Sequence, residues 1–467
     1  MNEMAEMWDK LEEECGLFGV SNMNEDETAY CIYAGLYTLQ HRGQESCGIV
    51  VNQNREVKFI KEKGQVREVF TEMLLSQLTG SMGIGHVRAG TTGTSSNINA
   101  QPLVTRYKQG PLAIAHNGNL SNESLLREEL GDEGVFFQTS TDSEIILHMI
   151  MRERRHLKDG GSIEEAVSAA MGKLRGAYSV LLMNGSKMLA FRDPAGMRPL
   201  CIGKVGDAWC VSSESCALDI VGAKFVRDVE PGEIVIFDME GGITSIRDHC
   251  GGKSSLCVFE YIYTARTDSI IDGQSVYDAR QNAGRILAQA YPVDADVVIG
   301  VPDSGLDAAR GYALESGIPL GRGLIINRYI GRTFIIPGQK NREAAVRIKI
   351  NAMRAEVEGK RVVVVDDSIV RGTTVENQVA LLREAGALEV HFRISSPPFL
   401  WPCYFGTDVP DREMLIAANH SLEEIRQMTG ADTLGYLPLD RVKDIAPNAT
   451  CGLCEACFTN SYPVPLT

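Results

Sequence analysis

The chain has 467 residues, with 46 lysines and arginines against 61 aspartates and glutamates, so its formal charge is −15. A hydrophobic fraction of 44% and a charged fraction of 23% fit a globular chain of roughly two to four domains and exclude a disordered one. The acidic balance excludes a general nucleic-acid binder, and no uncharged apolar run approaches the ~20 residues that span a bilayer.

The first fourteen residues carry six acids (Glu3, Glu6, Asp9, Glu12, Glu13 and Glu14) and one base, Lys10. That pattern fits neither a secretory nor a mitochondrial signal, so the cytoplasm is expected and the 12 cysteines should be reduced thiols. Ala29, Ile32 and Leu36 with Tyr30, Tyr33 and Tyr37 fall at helical spacing, and Gly43 ends that helix. The runs Tyr178–Met183 and Met188–Phe191 read as strands, and the first half as an α+β layered domain. The small residues 251–255 mark a boundary. Beyond it, a helical pattern (Ala279, Ala283, Ile286, Leu287, Ala290) precedes the apolar run Val297–Val301. A helix from Ala308 to Leu314, the run Val362–Val365 and a helix from Thr373 to Glu384 capped by Gly386 follow. β-branched runs separated by helices predict a parallel sheet buried on both faces, with ligands at the carboxyl ends of its strands.

In the stretch from Arg361 to Thr374, a buried strand ends in Asp366 and Asp367, and Gly372-Thr373-Thr374 opens a helix six residues on. Such a helix start presents N–H groups to an anion, Ser368, Thr373 and Thr374 add hydroxyls, and the acids can accept hydrogen bonds from vicinal hydroxyls. The stretch itself contains no G-K-[ST], so it is not a P-loop. The stretch resembles the ribose-phosphate motif of the type I phosphoribosyltransferases. Pro302-Asp-Ser-Gly305 is a second strand-to-loop turn able to face a pyrophosphate, and Ser304 with the paired acids could help hold Mg²⁺. Residues 327–349 carry six bases, Arg332 and Lys340 among them, and the single acid Glu343. Taken alone they are a solvated basic face; the resemblance implies a flap closing over pyrophosphate.

At the other end of the chain stand Cys15-Gly-Leu-Phe-Gly, Gln40-His-Arg-Gly-Gln44, Gly85-His-Val-Arg88, His116-Asn-Gly-Asn119 and Ser140-Thr-Asp-Ser-Glu144. Together they resemble the N-terminal-nucleophile glutamine amidotransferases over residues 15 to about 230. The resemblance implies that residues 1–14 are cleaved off, because a freed α-amine with pKa roughly 7.7–8 can take the proton of the Cys15 thiol. By position it makes Asn117 and Gly118 the oxyanion hole, Arg88 the clamp for the glutamine carboxylate and Asp142 the partner of its ammonium. Arg42, on the glutamine side, steadies the site around the nucleophile.

Cys451-Gly-Leu-Cys-Glu-Ala-Cys457 closes the cysteine pattern and suggests metal in a reducing compartment, without the ferredoxin continuation. Both signatures together resemble the glutamine phosphoribosylpyrophosphate amidotransferase family, one branch of which holds a [4Fe–4S] cluster. Its ligands map onto Cys257, Cys403, Cys454 and Cys457, with Cys451 as a competing thiol and zinc as an alternative metal. The remaining cysteines are expected to be packing residues. The resemblance implies an α+β (αββα) glutaminase domain over 15–250, an α/β type I phosphoribosyltransferase domain over 251–445 and a cluster-binding tail over 446–467. It further implies glutamine and phosphoribosyl pyrophosphate as substrates, purine nucleotides as inhibitors, a homotetramer, and no nucleic-acid or membrane partner. A glutaminase feeding another acceptor is disfavoured by the 362–374 motif, and a catalytically dead sensor by the intact Cys15, Asn117, Asp142 and Asp366.

Overall fold

The first half of the chain folds from thirteen strands that pair into two stacked sheets, in a computed structural model that describes residues 15–89, 97–108, 110–158, 161–327, 350–407, 409 and 411–466. The strands are β1 (Gly16–Ser21), β2 (Ser46–Gln53), β3 (Glu56–Lys63), β4 (Met82–Arg88), β5 (Leu103–Tyr107), β6 (Gly110–Leu120), β7 (Gly176–Asn184) and β8 (Lys187–Arg192). β9 (Cys201–Val205), β10 (Ala208–Ser212), β11 (Lys224–Asp228), β12 (Ile234–Asp238) and β13 (Ile243–Ile246) complete them. One sheet runs β11-β9-β10-β1-β4-β2-β3 and the other β13-β12-β8-β7-β6-β5.

Period-two side-chain alternation explains the layers. On β1, Leu17 joins the core between the sheets, with Ile84, Ala113 and Leu181. Phe18 and Val20 point the other way, into a core with Ala29, Ile32 and Leu36 of helix α1 (Thr28–Thr38). On β7, Leu181 and Met183 face the inter-sheet core. Tyr178, Val180 and Leu182 face helices α2 (Asp142–His156) and α3 (Ile163–Met171). The continuous apolar run Tyr178–Met183 is therefore a strand covered on both faces, and the order of layers is helix, sheet, sheet, helix.

In the second half, β14 (Val297–Gly300), β15 (Arg361–Asp366), β16 (Glu389–Ile394) and β17 (Thr433–Tyr436) pair in parallel in that order. Val363 and Val365 pack on one face against helices α4 (Val276–Ala290) and α5 (Ser304–Ser316). Val362 and Val364 pack on the other against Val375 and Val379 of α6 (Thr373–Glu384). Both predicted faces are covered, as a doubly wound sheet requires. Helices α4 and α5 touch backbone to backbone: a Cβ on Gly284 would stand 1.8 Å from the Ala308 oxygen. Helix α5 begins four residues before the expected Ala308, because the polar turn Ser304–Asp307 already has helical geometry.

The boundary at 251–255 is not a free linker. Ser255 N–H donates to the Ala195 oxygen and Cys257 N–H to the Met197 oxygen, so the second half starts attached to the first. Leu453–Cys454 of the tail then pairs in parallel with Leu256–Cys257. Stacked Phe259, Phe399 and Phe458 anchor that junction, with centroids 5.0 and 5.5 Å apart along the stack. The expected leader 1–14 and the basic segment with Arg332 and Lys340 lie outside the described residues.

Candidate active sites and a cysteine recess

The antiparallel register of β1 with β4 sets Gly16 against Val87, which brings Cys15 beside Arg88. The Cys15 thiol faces the Ala89 oxygen at 3.9 Å, and burial pushes its pKa up to about 11 against the lowering pull of Arg88 and Arg42. Asp142 also acts on this thiol, opposing ionisation, so Arg88, Arg42 and Asp142 converge on Cys15 as expected. Asp142 is the first residue of α2. Its carboxylate accepts the Leu120 N–H at 3.0 Å and lies 3.4 Å from His116 Nδ1. Although burial opposes it, His116 and these N–H groups hold the Asp142 carboxyl below its ordinary pKa.

Asn117 lies on β6 next to that helix start, 1% exposed, and its Nδ2 has no hydrogen-bond partner among the described residues. A buried amide donor without a partner costs about 1–3 kcal/mol, the signature of a group reserved for a ligand oxygen. Gly118 follows at φ 136°, and a Cβ there would stand 2.1 Å from the Ala177 oxygen. Only glycine fits. The backbone before Asn117 is gripped from both sides. His86 Nε2 bonds the His116 oxygen at 3.0 Å and Gln101 Oε1 accepts the His116 N–H at 2.8 Å. Burial drives His86 down to a pKa of about 3, so it serves as a neutral donor.

Arg42, grouped with the glutamine-binding residues, is fully buried: Nε donates to the Cys15 oxygen at 3.1 Å and the Nη atoms to Glu214 and Glu260 at 2.7–2.9 Å, so it holds the residue that bears the thiol. Arg88 holds both Glu45 carboxylate oxygens at 2.8 Å, so an internal carboxylate occupies the clamp expected for the substrate's. Glu214, Glu260, His86 and Gln101 were missed by motif reading. Glu260 alone left a signal, a lone acid inside the apolar run Val258–Ile262.

The second site forms where β14 and β15 end side by side, with Gly300 paired to Val365. Asp366 and Asp367 are each 1% exposed. Asp366 accepts the Asp367 N–H at 2.9 Å, and Asp367 accepts the hydroxyls of Ser304 and Ser368. Ser304, from the first turn of α5, is thus joined to the paired acids, as the sequence suggested. Gly372 caps α6 at φ 92°, and a Cβ there would stand 2.6 Å from Ile416 Cδ1. Thr374 is buried at this end while Thr373 is exposed.

A third feature is a recess lined by Cys257, Cys403, Cys454 and Cys457 together with Arg198, Phe405 and Thr407. Burial pushes the Cys454 thiol up to about 12 and raises Cys457 strongly, with Cys403, Cys257 and Cys454 adding to the latter. Cys451 is elsewhere, against Asp272, which is paired with Arg192 at 2.8 Å. Among the described residues, no three His, Cys, Asp or Glu side chains converge closely enough to hold one metal ion.

The family profile for a glutamine amidotransferase domain matches residues 86–219, and that for a phosphoribosyl transferase domain matches residues 267–395. The chain is 48% identical to the amidophosphoribosyltransferase of Bacillus subtilis, over 98% of this chain and 95% of that protein. It belongs to the amidophosphoribosyltransferase family. The Archaeoglobus fulgidus amidophosphoribosyltransferase is 46% identical over 96% of this chain and 98% of that protein. A solved amidophosphoribosyltransferase, the B. subtilis enzyme complexed with ADP and GMP, superposes with a TM-score of 0.90 at 47% identity, covering 97% of this chain and 98% of its own. A further structure, of the allosteric regulatory enzyme of purine biosynthesis, gives 0.91 at 47% identity and 97% coverage of both chains. The paired sandwich and parallel sheet are therefore the two halves of an amidophosphoribosyltransferase. No helix among the described residues is long and apolar enough to cross a membrane.

Proposed function

We propose that the chain makes 5-phosphoribosylamine from glutamine and phosphoribosyl pyrophosphate, the first committed step of purine synthesis, with ammonia passed internally between its two sites. The observation that carries this reading is the presence, in one chain, of a buried Asn117 amide with no hydrogen-bond partner among the described residues and of buried paired acids at the end of β15.

Cys15 attacks the glutamine carboxamide carbon, its proton passing to the α-amine freed when residues 1–14 are removed. A thiol held near 11 ionises too little at neutrality without such a base. Asn117 Nδ2 and Gly118 N–H receive the developing oxyanion. Arg88 and Asp142 bind the substrate's carboxylate and ammonium, Arg88 exchanging Glu45 for the substrate. The C–N bond breaks, ammonia leaves with the proton, and water then cleaves the thioester to glutamate. At the second site, Asp366 and Asp367 accept the ribose hydroxyls, while Ser368, Gly372, Thr373 and Thr374 hold the 5-phosphate. Arg332 and Lys340, on the basic segment, engage the pyrophosphate. Ammonia attacks the ribose C1 and pyrophosphate departs.

Mg²⁺ would be held by Ser304, Asp366 and Asp367, directly or through water, and would neutralise pyrophosphate charge when bound. The oxygen donors joined at Asp367 fit that role. Cys257, Cys403, Cys454 and Cys457 would hold a [4Fe–4S] cluster that staples the tail to the body of the protein. The same four thiols line one recess, and zinc is the alternative metal for them. Purine nucleotides would inhibit through the same ribose-phosphate loop, and the enzyme would be a cytoplasmic homotetramer.

Cys15→Ala tests the division of labour. It should abolish glutamine-dependent synthesis and retain the ammonia-dependent reaction; loss of both, or of neither, contradicts the reading.

A further inference from the structure

Four fully buried charges lie between the two halves of the glutamine site: Arg42, Arg198, Glu214 and Glu260. Buried ion networks contribute little net stability compared with apolar packing, so their geometry calls for another account. Glu260 is the shared member. It accepts from Arg42 at 2.7 and 2.9 Å and lies 3.7 Å from Arg198 Nη1. Arg42 in turn grips the Cys15 carbonyl at 3.1 Å. Arg198 reaches the other way, donating to the Phe405 oxygen at 2.6 Å and to Thr407 Oγ1 at 3.3 Å.

The loop held by Arg198 rests on the oxyanion strand. Asn119 Nδ2 donates to the Tyr404 oxygen at 3.1 Å, and a Cβ on Gly406 would stand 3.3 Å from the Gly118 carbonyl carbon. One carboxylate therefore hydrogen-bonds the arginine that grips the nucleophile's residue and stands at ion-pair distance, 3.7 Å, from the arginine that holds the loop packed against the oxyanion peptide. Displacing either by about 1 Å can cost roughly a hundredfold in rate.

We infer that Glu260 is a positioning residue for the glutamine half-reaction, fixing the separation of Cys15 from the Asn117–Gly118 oxyanion site through Arg42 and Arg198. The inference rests on the reading of Cys15 as nucleophile. Glu214 anchors Arg42 from its other side, and Glu260 faces both Arg42 and Arg198.

The test uses the full-length processed enzyme carrying Glu260→Gln, with glutamine kcat and KM, the ammonia-dependent rate and thermal unfolding measured together. The expected result is a glutamine kcat lowered roughly tenfold or more, with glutamine KM and the ammonia-dependent rate within about twofold of wild type. An unchanged glutamine kcat overturns the inference, as does a parallel fall of both activities that tracks lost stability. Should Glu260→Gln not accumulate as folded protein, Glu260→Asp must give the same split, because it keeps the buried charge but is one methylene too short to face Arg42 and Arg198 together. A wild-type enzyme that makes no phosphoribosylamine from glutamine would refute the functional reading itself, whereas wild-type activity with indifferent variants refutes only the role of Glu260.

Discussion

Asn117 condenses the argument at the scale of a single residue. Its amide nitrogen is sealed from water and has no partner among the described residues, which under the proposed mechanism leaves a donor whose cost is regained when an oxyanion forms. Asn117→Ala should lower glutamine kcat by about 10²–10³, with little change in the ammonia-dependent rate, as steady-state assays with either nitrogen source would report. The cysteines make a second prediction at this scale. Cys454→Ser should lose the brown colour and the iron, about four per chain in the parent, while Cys451→Ser keeps both. The sequence left Cys451 competing for a ligand position, because C-x-x-C-x-x-C spacing does not say which thiols face a common recess. Folding separates them: Cys451 packs beside Asp272, while Cys454 and Cys457 line the recess with Cys257 and Cys403.

Among the elements, helix α2 shows how local chemistry positions a binding group. Its first turn carries Asp142 and Glu144, both favoured there by the positive end of the helix dipole. Glu144 accepts the N–H groups of Gln138 and Thr139, and with His148 these bring its pKa down from 4.5 to about 2 despite burial. A depressed carboxyl pKa contributes stability that is complete above the unfolded value and vanishes as pH falls through the folded one. Glu144→Gln should therefore destabilise the enzyme by about 2 kcal/mol at neutral pH, and the gap in denaturant midpoint should close as pH drops from 4.5 toward 2. Strands and helices were legible because their apolar periods are regular, and Asp366, Asp367 and Gly372 because a strand end and a helix start fall six residues apart. Glu214 was not legible, and Glu260 showed only as a lone acid in an apolar run, with no hint of its partner. Each acts through Arg42, which lies 172 and 218 residues away in sequence, and no local pattern encodes a partner at that distance.

For the whole molecule, the two domains are built as one unit. The segment that leaves the sandwich stays bonded to it through Ser255 and Cys257, the tail returns to pair with that same segment, and the loop at Tyr404 rests on Asn119. Such a junction suits an enzyme in which the nitrogen released beside Cys15 is consumed at the acids beyond β15, because a confined ammonia reaches a far higher effective concentration than a free one. The decisive measurement supplies glutamine labelled with ¹⁵N in its amide, with excess unlabelled ammonium in the bulk, and follows the isotope into phosphoribosylamine. Internal transfer predicts product carrying the label at nearly the enrichment of the glutamine. Product diluted to the isotopic composition of the bulk ammonium would contradict it.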